Sequence, residues 1–179
     1  MIAHRGASER FPENTPAAFD AALAAGCDGI ELDVQLSADG VPFLYHDRTL
    51  ARIGAGRRRA SSVLIDGLKS LDAGSWLHPR FRAERIPTLE EVLDRYAGRT
   101  LLLIEIKVRT PADSPERRRI LAREVAGMVR ARAIEKSTAL LCFDLDTLAA
   151  ARAAAPRSRI VLNANPRTGR LPRAARAAL

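Results

Sequence analysis

Two histidines and two carboxylates lie in or next to short apolar segments within the first 47 residues of the chain. His4 and His46 each end such a segment, and Glu31 and Asp33 lie inside another. Histidine titrates near neutral pH, so two imidazoles can take up and return a proton. The two acids are two residues apart, which on a β-strand directs both side chains to one face. Such oxygen ligands suit Mg²⁺ or Ca²⁺, and with the neighbouring Arg5 they indicate attack on a phosphate ester.

The elements that must position these residues alternate between strand and helix. Strands are predicted over residues 2–4, 29–36, 41–46, 101–108, 139–143 and 159–162. Helices are predicted over residues 16–25, 65–71, 89–96, 114–132, 146–154 and 171–179. This alternation is typical of a parallel α/β sheet with right-handed crossovers, in which residues at the carboxyl ends of the strands converge. We therefore predict one TIM-type (β/α) barrel domain over residues 1–179, truncated to about six strands at its C-terminus.

A further pair of charged residues, Glu105 and Lys107, has the same two-residue spacing inside the apolar segment 101–108. Two charges in such a segment need a partner, so they belong either to the site or to an ion pair across one strand face. Either Asn14 or Thr15 can cap the first helix, and Thr88 with Glu91 forms a capping box for the third.

Residues 48–87 have poor periodicity and form a long excursion from the predicted barrel, which is typical of a functional loop or a subdomain. Trp76 and Phe81 either line the substrate site as an apolar wall or pack the excursion. His78 is expected at the surface, and the run of three arginines at 57–59 is expected to be a solvated loop.

The composition is that of a folded globular domain, with 47% hydrophobic and 28% charged residues. No apolar run approaches the length of a membrane-spanning helix, and no signal peptide precedes His4, so we expect a cytoplasmic protein without stable membrane insertion. Cys27 and Cys142 are far apart in apolar surroundings, and we expect two buried, reduced thiols.

The net charge of +8 comes from the C-terminal part of the chain. Residues 151–179 contain seven arginines and no acidic residue, which leaves 22 basic and 21 acidic residues before position 151. The positive charge therefore lies away from the residues that could do chemistry. A basic segment alone is weak support for a polyanion partner, and we expect no nucleic-acid binding.

Several motifs in this order resemble the glycerophosphodiester phosphodiesterase family. They are Ala3-His4-Arg5-Gly6, Pro12-Glu13-Asn14-Thr15 with Phe19, the segment 29–34, Asp39-Gly40, His46-Asp47, the segment 85–91 and Glu105-Ile106-Lys107. The resemblance covers essentially the whole chain. It implies a phosphodiesterase barrel that uses a divalent cation to hydrolyse glycerophosphodiesters to an alcohol and glycerol 3-phosphate.

The resemblance also implies a role for each matching residue. His4 and His46 would be the general acid/base pair, and Arg5 and Lys107 would contact the phosphate. The metal ligands would be Glu31, Asp33 and Glu105.

In one respect the chain departs from the family pattern, since the last two strand–helix units are missing, including a tryptophan-bearing segment. The expected explanations are a fragment of a longer protein, a truncated gene product, or a barrel that is closed by a partner or by oligomerisation. Two alternatives to the phosphodiesterase therefore stay open: lysophospholipase D-type activity, and a non-catalytic truncated barrel that binds anions.

Overall fold

The computed structural model describes residues 1–108 and 113–163 and shows a six-stranded sheet with helices between its strands. The strands are β1 (Ile2–His4), β2 (Gly29–Leu36), β3 (Pro42–Leu44), β4 (Leu101–Ile106), β5 (Thr138–Cys142) and β6 (Arg159–Leu162). The α-helices are α1 (Pro16–Ala24), α2 (Ile65–Lys69), α3 (Leu89–Tyr96), α4 (Pro115–Ala131) and α5 (Leu145–Ala154). Five strands run parallel in the order β1-β2-β4-β5-β6, which is the arrangement of a partial α/β barrel.

The strand β2 is central to this arrangement, because all eight of its residues are buried. One edge pairs with β4 from Gly29 to Val34, and the other edge pairs first with β1 and then with β3. The register sets His4 opposite Glu31 and Asp33 opposite Glu105. The alternation along the strands and this register therefore bring residues from β1, β2 and β4 to one face of the sheet, at the carboxyl ends of β1 and β4.

The direction of β3 differs from the prediction of a parallel barrel strand. It pairs with β2 in the antiparallel direction, through a tight turn closed by the Ser37 amide donating to the Val41 carbonyl at 3.0 Å. Gly40 takes φ 84° in this turn, a conformation that glycine adopts without strain. A turn this short cannot hold the crossover that parallel strands need. The residues described here thus supply five parallel strands, whereas a complete TIM-type barrel has eight.

The predicted helix starts agree with the structure. Thr15 caps α1 by accepting from the Ala18 amide, and Pro16 occupies the first turn. Thr88 and Glu91 form the predicted capping box of α3. The main core lies between the sheet and these helices and includes an edge-to-face contact of Phe19 with Tyr96, with ring centroids 5.5 Å apart. The helix predicted over residues 171–179 lies outside the described residues.

The excursion after β3 has a small core of its own, built on Phe43, Leu50, Leu68 and Ile86. Short 3₁₀ turns at Leu50–Ile53, Ala60–Ser62 and Pro79–Phe81 connect its segments. The two cysteines carry free thiols, with Cys142 buried and Cys27 half-buried. Among the helices described, none is long and apolar enough to cross a bilayer.

Candidate active site

Three acidic residues form a buried cluster at the end of the sheet. Glu31 and Asp33 come from β2 and Glu105 from the neighbouring strand β4, and the carboxylate oxygens that could bind an ion lie within 4.8 Å of one another. Each residue is at most 9% exposed. The structure therefore brings together all three residues that the sequence predicts as metal ligands.

The charges in this cluster are only partly balanced. Burial alone would raise the pKa of Asp33, but Lys107 above all, with Asn14 and Arg5, holds that pKa below its ordinary value. The Lys107 ammonium lies 2.7 Å from both an Asp33 oxygen and a Glu105 oxygen. By contrast, burial, followed by the charges of Asp33 and Glu105, raises the pKa of Glu31 from 4.5 to about 8.

The excess of negative charge in the cluster bears on whether a cation fits there. Without an added positive charge, Glu31 keeps its proton up to about pH 8, because it is buried and because the site already holds two nearby carboxylates. A divalent cation would supply the missing charge in place of that proton. The donor set consists of carboxylate oxygens alone, which matches the preference of hard divalent cations. These residues could therefore hold a divalent metal ion.

Arg5 reaches the cluster from the turn after β1. The main chain of Arg5 takes φ 58°, and its amide donates to both the carbonyl and a carboxylate oxygen of Glu31, at 2.9 and 3.1 Å. A Cβ at the next residue, Gly6, would lie 2.7 Å from the Ala18 carbonyl carbon, so the close approach to α1 requires glycine. The Arg5 guanidinium contacts Asp33 at 3.0 Å and Glu13 at 3.2 Å. The predicted phosphate-contact residues, Arg5 and Lys107, thus both lie at the acidic cluster.

His4 lies at the exposed rim of the same site, with 66% of its side chain accessible. Its Nε2 is 3.8 Å from a Glu31 oxygen. Partial burial, followed by the charge of Arg5, lowers the pKa of His4 below its ordinary value, and the charge of His46 contributes in the same direction. His4 is therefore neutral at neutral pH and able to accept a proton.

His46 follows β3 and contacts the residue next to it in sequence. Its Nδ1 lies 2.9 Å from an Asp47 oxygen, and the second Asp47 oxygen accepts from Arg52 Nε at 2.8 Å. Burial alone would raise the pKa of Asp47, but the hydrogen bond with His46 and the charge of Arg52 hold it below its ordinary value. Arg52 continues to Glu13 at 2.6 Å, so the excursion is connected to the loop that precedes α1.

A second group that could hold an ion, formed by Glu13, His46 and Asp47, is half-buried. Its carboxylates are already paired with Arg5 and Arg52. The cluster of Glu31, Asp33 and Glu105 is therefore the better candidate metal centre.

Asn14 has a role at the site that the sequence alone did not indicate, since its type and position predicted only a possible helix cap. Thr15 provides the cap, while the Asn14 amide nitrogen donates to Asp33 Oδ2 at 2.9 Å and its oxygen accepts from the Asp33 main-chain amide at 3.1 Å. Asn14 takes φ 57° and is buried, so it serves as a two-point clamp on Asp33. An asparagine between Glu13 and the capping Thr15 was the available signal, because asparagine tolerates this left-handed conformation.

Gln35 was also missed. It is buried on β2, and its side-chain nitrogen donates to the carbonyls of Tyr45 at 2.5 Å and Asp47 at 2.9 Å. These bonds hold the segment around His46 against the central strand.

The excursion supplies Trp76 at the edge of the His46 region. Trp76 is 37% exposed, donates from Nε1 to the Ala73 carbonyl, and lies under the Arg52 guanidinium at 4.8 Å. Phe81 packs on Phe11 with centroids 5.5 Å apart, so of the two predicted wall residues Trp76 is the one that lines the cavity beside His46. His78 is exposed and caps a 3₁₀ turn, and the arginines at 57–59 are also exposed, as predicted.

The model of the glycerophosphoryl diester phosphodiesterase family matches residues 4–178. A glycerophosphodiester phosphodiesterase of Caldanaerobacter subterraneus is 46% identical over 108 residues, which cover 60% of this chain and 44% of that protein. The chain thus spans about half the length of the curated relatives that it matches.

Solved structures that are similar to this one include two phosphodiesterases. A glycerophosphodiester phosphodiesterase from Agrobacterium tumefaciens has a TM-score of 0.78 and 35% identity, covering 89% of this chain and 64% of that chain. An Oleispira antarctica phosphodiesterase, in complex with the product sn-glycerol-3-phosphate, has a TM-score of 0.82 and 29% identity, covering 99% of this chain and 69% of that chain.

Proposed function

Because the chain belongs to the glycerophosphoryl diester phosphodiesterase family, we propose that it hydrolyses small glycerophosphodiesters to an alcohol and glycerol 3-phosphate. The observation that carries this proposal is the meeting of His4, the carboxylates of Glu31, Asp33 and Glu105, and Lys107 at one end of the sheet. The product-bound Oleispira antarctica phosphodiesterase supports the substrate class.

In the proposed reaction, a free hydroxyl of the substrate's glycerol attacks the phosphorus atom of the same substrate molecule. His4 removes the hydroxyl proton, since its lowered pKa keeps the ring neutral. The new oxygen–phosphorus bond forms as the bond to the leaving alcohol breaks, and protonated His46 gives its proton to the departing oxygen. The product of this step is a cyclic phosphate.

Water then opens the cyclic phosphate with the two histidines in exchanged roles. His46 takes a proton from the water, and His4 returns its proton to the glycerol oxygen that leaves phosphorus. One turnover thus restores both imidazoles, consumes one water molecule, and yields an alcohol and glycerol 3-phosphate.

Arg5 and Lys107 would contact the phosphate oxygens, and Glu31, Asp33 and Glu105 would hold Mg²⁺ or Ca²⁺. When bound, the cation would neutralise the negative charge that develops on the phosphoryl oxygens. In the free protein Arg5 and Lys107 both contact Asp33. Their charges therefore lie beside the residues that would hold the cation. A small-molecule substrate is the partner we propose, while a cytoplasmic location and closure of the barrel by a second chain stay predictions.

The test is turnover by the purified 179-residue chain with glycerophosphocholine, glycerophosphoethanolamine and lysophosphatidylcholine, assayed with Mg²⁺, Ca²⁺ or EDTA. We expect cation-dependent release of glycerol 3-phosphate from the first two substrates. The variants His4→Gln and His46→Gln should lose activity, while His78→Gln, a change at an exposed turn, should keep it.

Other results would redirect or end the proposal. Choline release from lysophosphatidylcholine alone would favour the lysophospholipase D-type alternative. Absence of cation-dependent turnover on all three substrates would refute the proposed activity and favour a non-catalytic barrel.

A further inference from the structure

A continuous chain of ion pairs connects the acidic cluster to His46. It runs from Asp33 through Arg5 to Glu13, and from Glu13 through Arg52 to Asp47, with contacts between 2.6 and 3.2 Å. Glu13 gives one carboxylate oxygen to each arginine, and burial, which would raise its pKa, is outweighed by those two partners, which lower it. The two halves of the site are thus linked through side chains of the loop before α1 and of the excursion.

Among the residues of this series of ion pairs, Arg52 is the one that comes from the excursion, and it connects the excursion to Glu13 and Asp47. It donates from Nε to Asp47 and from a terminal nitrogen to Glu13, so two nitrogens of the planar guanidinium are each bonded to a different carboxylate. Its face lies 4.8 Å from the centre of the Trp76 ring. Two ion pairs and a stacking contact fix the orientation of a side chain that is 26% exposed.

This fixed arginine restricts the position of Asp47, which has one oxygen toward Arg52 and the other toward His46 Nδ1. A carboxylate at this distance accepts a hydrogen bond from Nδ1–H and so selects the tautomer in which Nε2 of the neutral ring is free of a proton. The nitrogen that exchanges protons with the substrate is then Nε2.

We propose that Arg52 is a positioning residue that, through Asp47, holds His46 in the Nδ1–H tautomer and so directs proton transfer through Nε2. This inference rests on the proposed function for its catalytic consequence, but the tautomer itself does not depend on turnover. Groups that orient metal-ligating histidines through a hydrogen bond are worth about 10–100-fold in metal affinity or activity, and we expect an effect of that size for Arg52.

The experiment combines long-range ¹H–¹⁵N spectra of the histidine rings with steady-state kinetics. The chain has only three histidines, so comparison with the His46→Gln spectrum assigns the His46 signals. Spectra are taken at about pH 9, where imidazoles are neutral. The variants are Arg52→Gln, Arg52→Lys, which keeps the charge but cannot span two carboxylates as the fork does, and Arg80→Gln. Arg80 is the matched control, because it is an exposed arginine of the same excursion stacked on Phe81 at 4.5 Å.

We expect the Nδ1–H pattern in the wild-type protein and in Arg80→Gln, a shift toward Nε2–H in Arg52→Gln, and an intermediate pattern in Arg52→Lys. In Arg52→Gln, kcat should fall about 10–100-fold, while KM and the affinity for Mg²⁺ change little. If circular dichroism shows that Arg52→Gln is unfolded, Arg52→Lys decides by the same criteria.

An Nε2–H pattern in the wild-type protein, or a wild-type pattern in a folded Arg52 variant, would overturn the inference. If no protein shows turnover, the proposed function fails. The ring spectra then still decide whether Arg52 sets the His46 tautomer.

Discussion

The raised pKa of Glu31 predicts that cation binding and proton release are coupled. Below about pH 8 the cation-free protein holds a proton on Glu31 that a bound divalent cation must displace. The apparent affinity for Mg²⁺ or Ca²⁺ should therefore fall about tenfold for each pH unit below 8, which makes it ~100-fold weaker at pH 6. At pH 8.5 and above the affinity should become nearly independent of pH.

Isothermal titration calorimetry measures this coupling directly. Titrations at pH 6.5 in two buffers of different ionisation enthalpy should give about one proton released per cation bound. His4 lies next to Glu31 and could also contribute near that pH, so the variant His4→Gln serves as a control and should release the same number. Glu31→Gln should bind the cation more weakly and release no proton. An affinity that stays constant between pH 6 and pH 8 would refute the assignment of a protonated Glu31.

The same shift has a consequence for stability without a cation. An acid whose pKa is raised by folding binds more protons in the folded than in the unfolded chain, here between pH 4.5 and about 8. The free energy of unfolding should therefore fall with rising pH across this window, by up to about 1.4 kcal/mol per pH unit. Glu31→Gln should remove that slope in urea denaturation, because glutamine does not titrate. A slope that persists in the variant would have to come from another group.

Three further predictions concern single residues. His4→Ala and His46→Ala should each reduce kcat by about 10²–10⁴-fold in the glycerol 3-phosphate assay, and a rate near that of the wild type in either would remove its role in proton transfer. Asn14→Gly keeps the left-handed backbone but removes two hydrogen bonds to Asp33. Chemical denaturation should therefore show a free energy of unfolding that is lower by about 1–3 kcal/mol. An unchanged denaturation midpoint would contradict the role of Asn14 as a clamp. Thr88→Ala should lower the free energy of unfolding by ~1 kcal/mol through the lost cap of α3, and no change in a thermal melt would show that tertiary contacts hold this helix start.

The acidic cluster could be predicted from the sequence partly by a local rule and partly by the family resemblance. Alternation along a strand places Glu31 and Asp33 on one face, while the ligand role of Glu105 is implied by the resemblance, and the pairing of β4 with β2 is seen in the structure. The prediction of an ion pair between Glu105 and Lys107 and the prediction of a site role are both compatible with the structure, since Lys107 contacts Asp33 as well.

What the sequence did not predict depends on contacts between segments that are distant in the chain. The clamp of Asn14 on Asp33 joins a loop to a strand 19 residues away, and the ion pair of Arg52 with Glu13 spans 39 residues. Hydrophobic periodicity carries no information on such side-chain pairs. The direction of β3 is a different case. The dipeptide Asp39-Gly40 is typical of the tight turn of a hairpin, whereas the overall strand–helix alternation predicts parallel strands.

The pairing of β2 on both edges has a consequence for local opening. Its amide hydrogens are bonded to β1 and β3 on one side and to β4 on the other, whereas β6 pairs only with β5 among the residues described. Amides of β2 should accordingly exchange with deuterium most slowly, and those of β6 much sooner. The two acids of β2 therefore lie in the segment that stays folded during transient openings at the far end of the sheet.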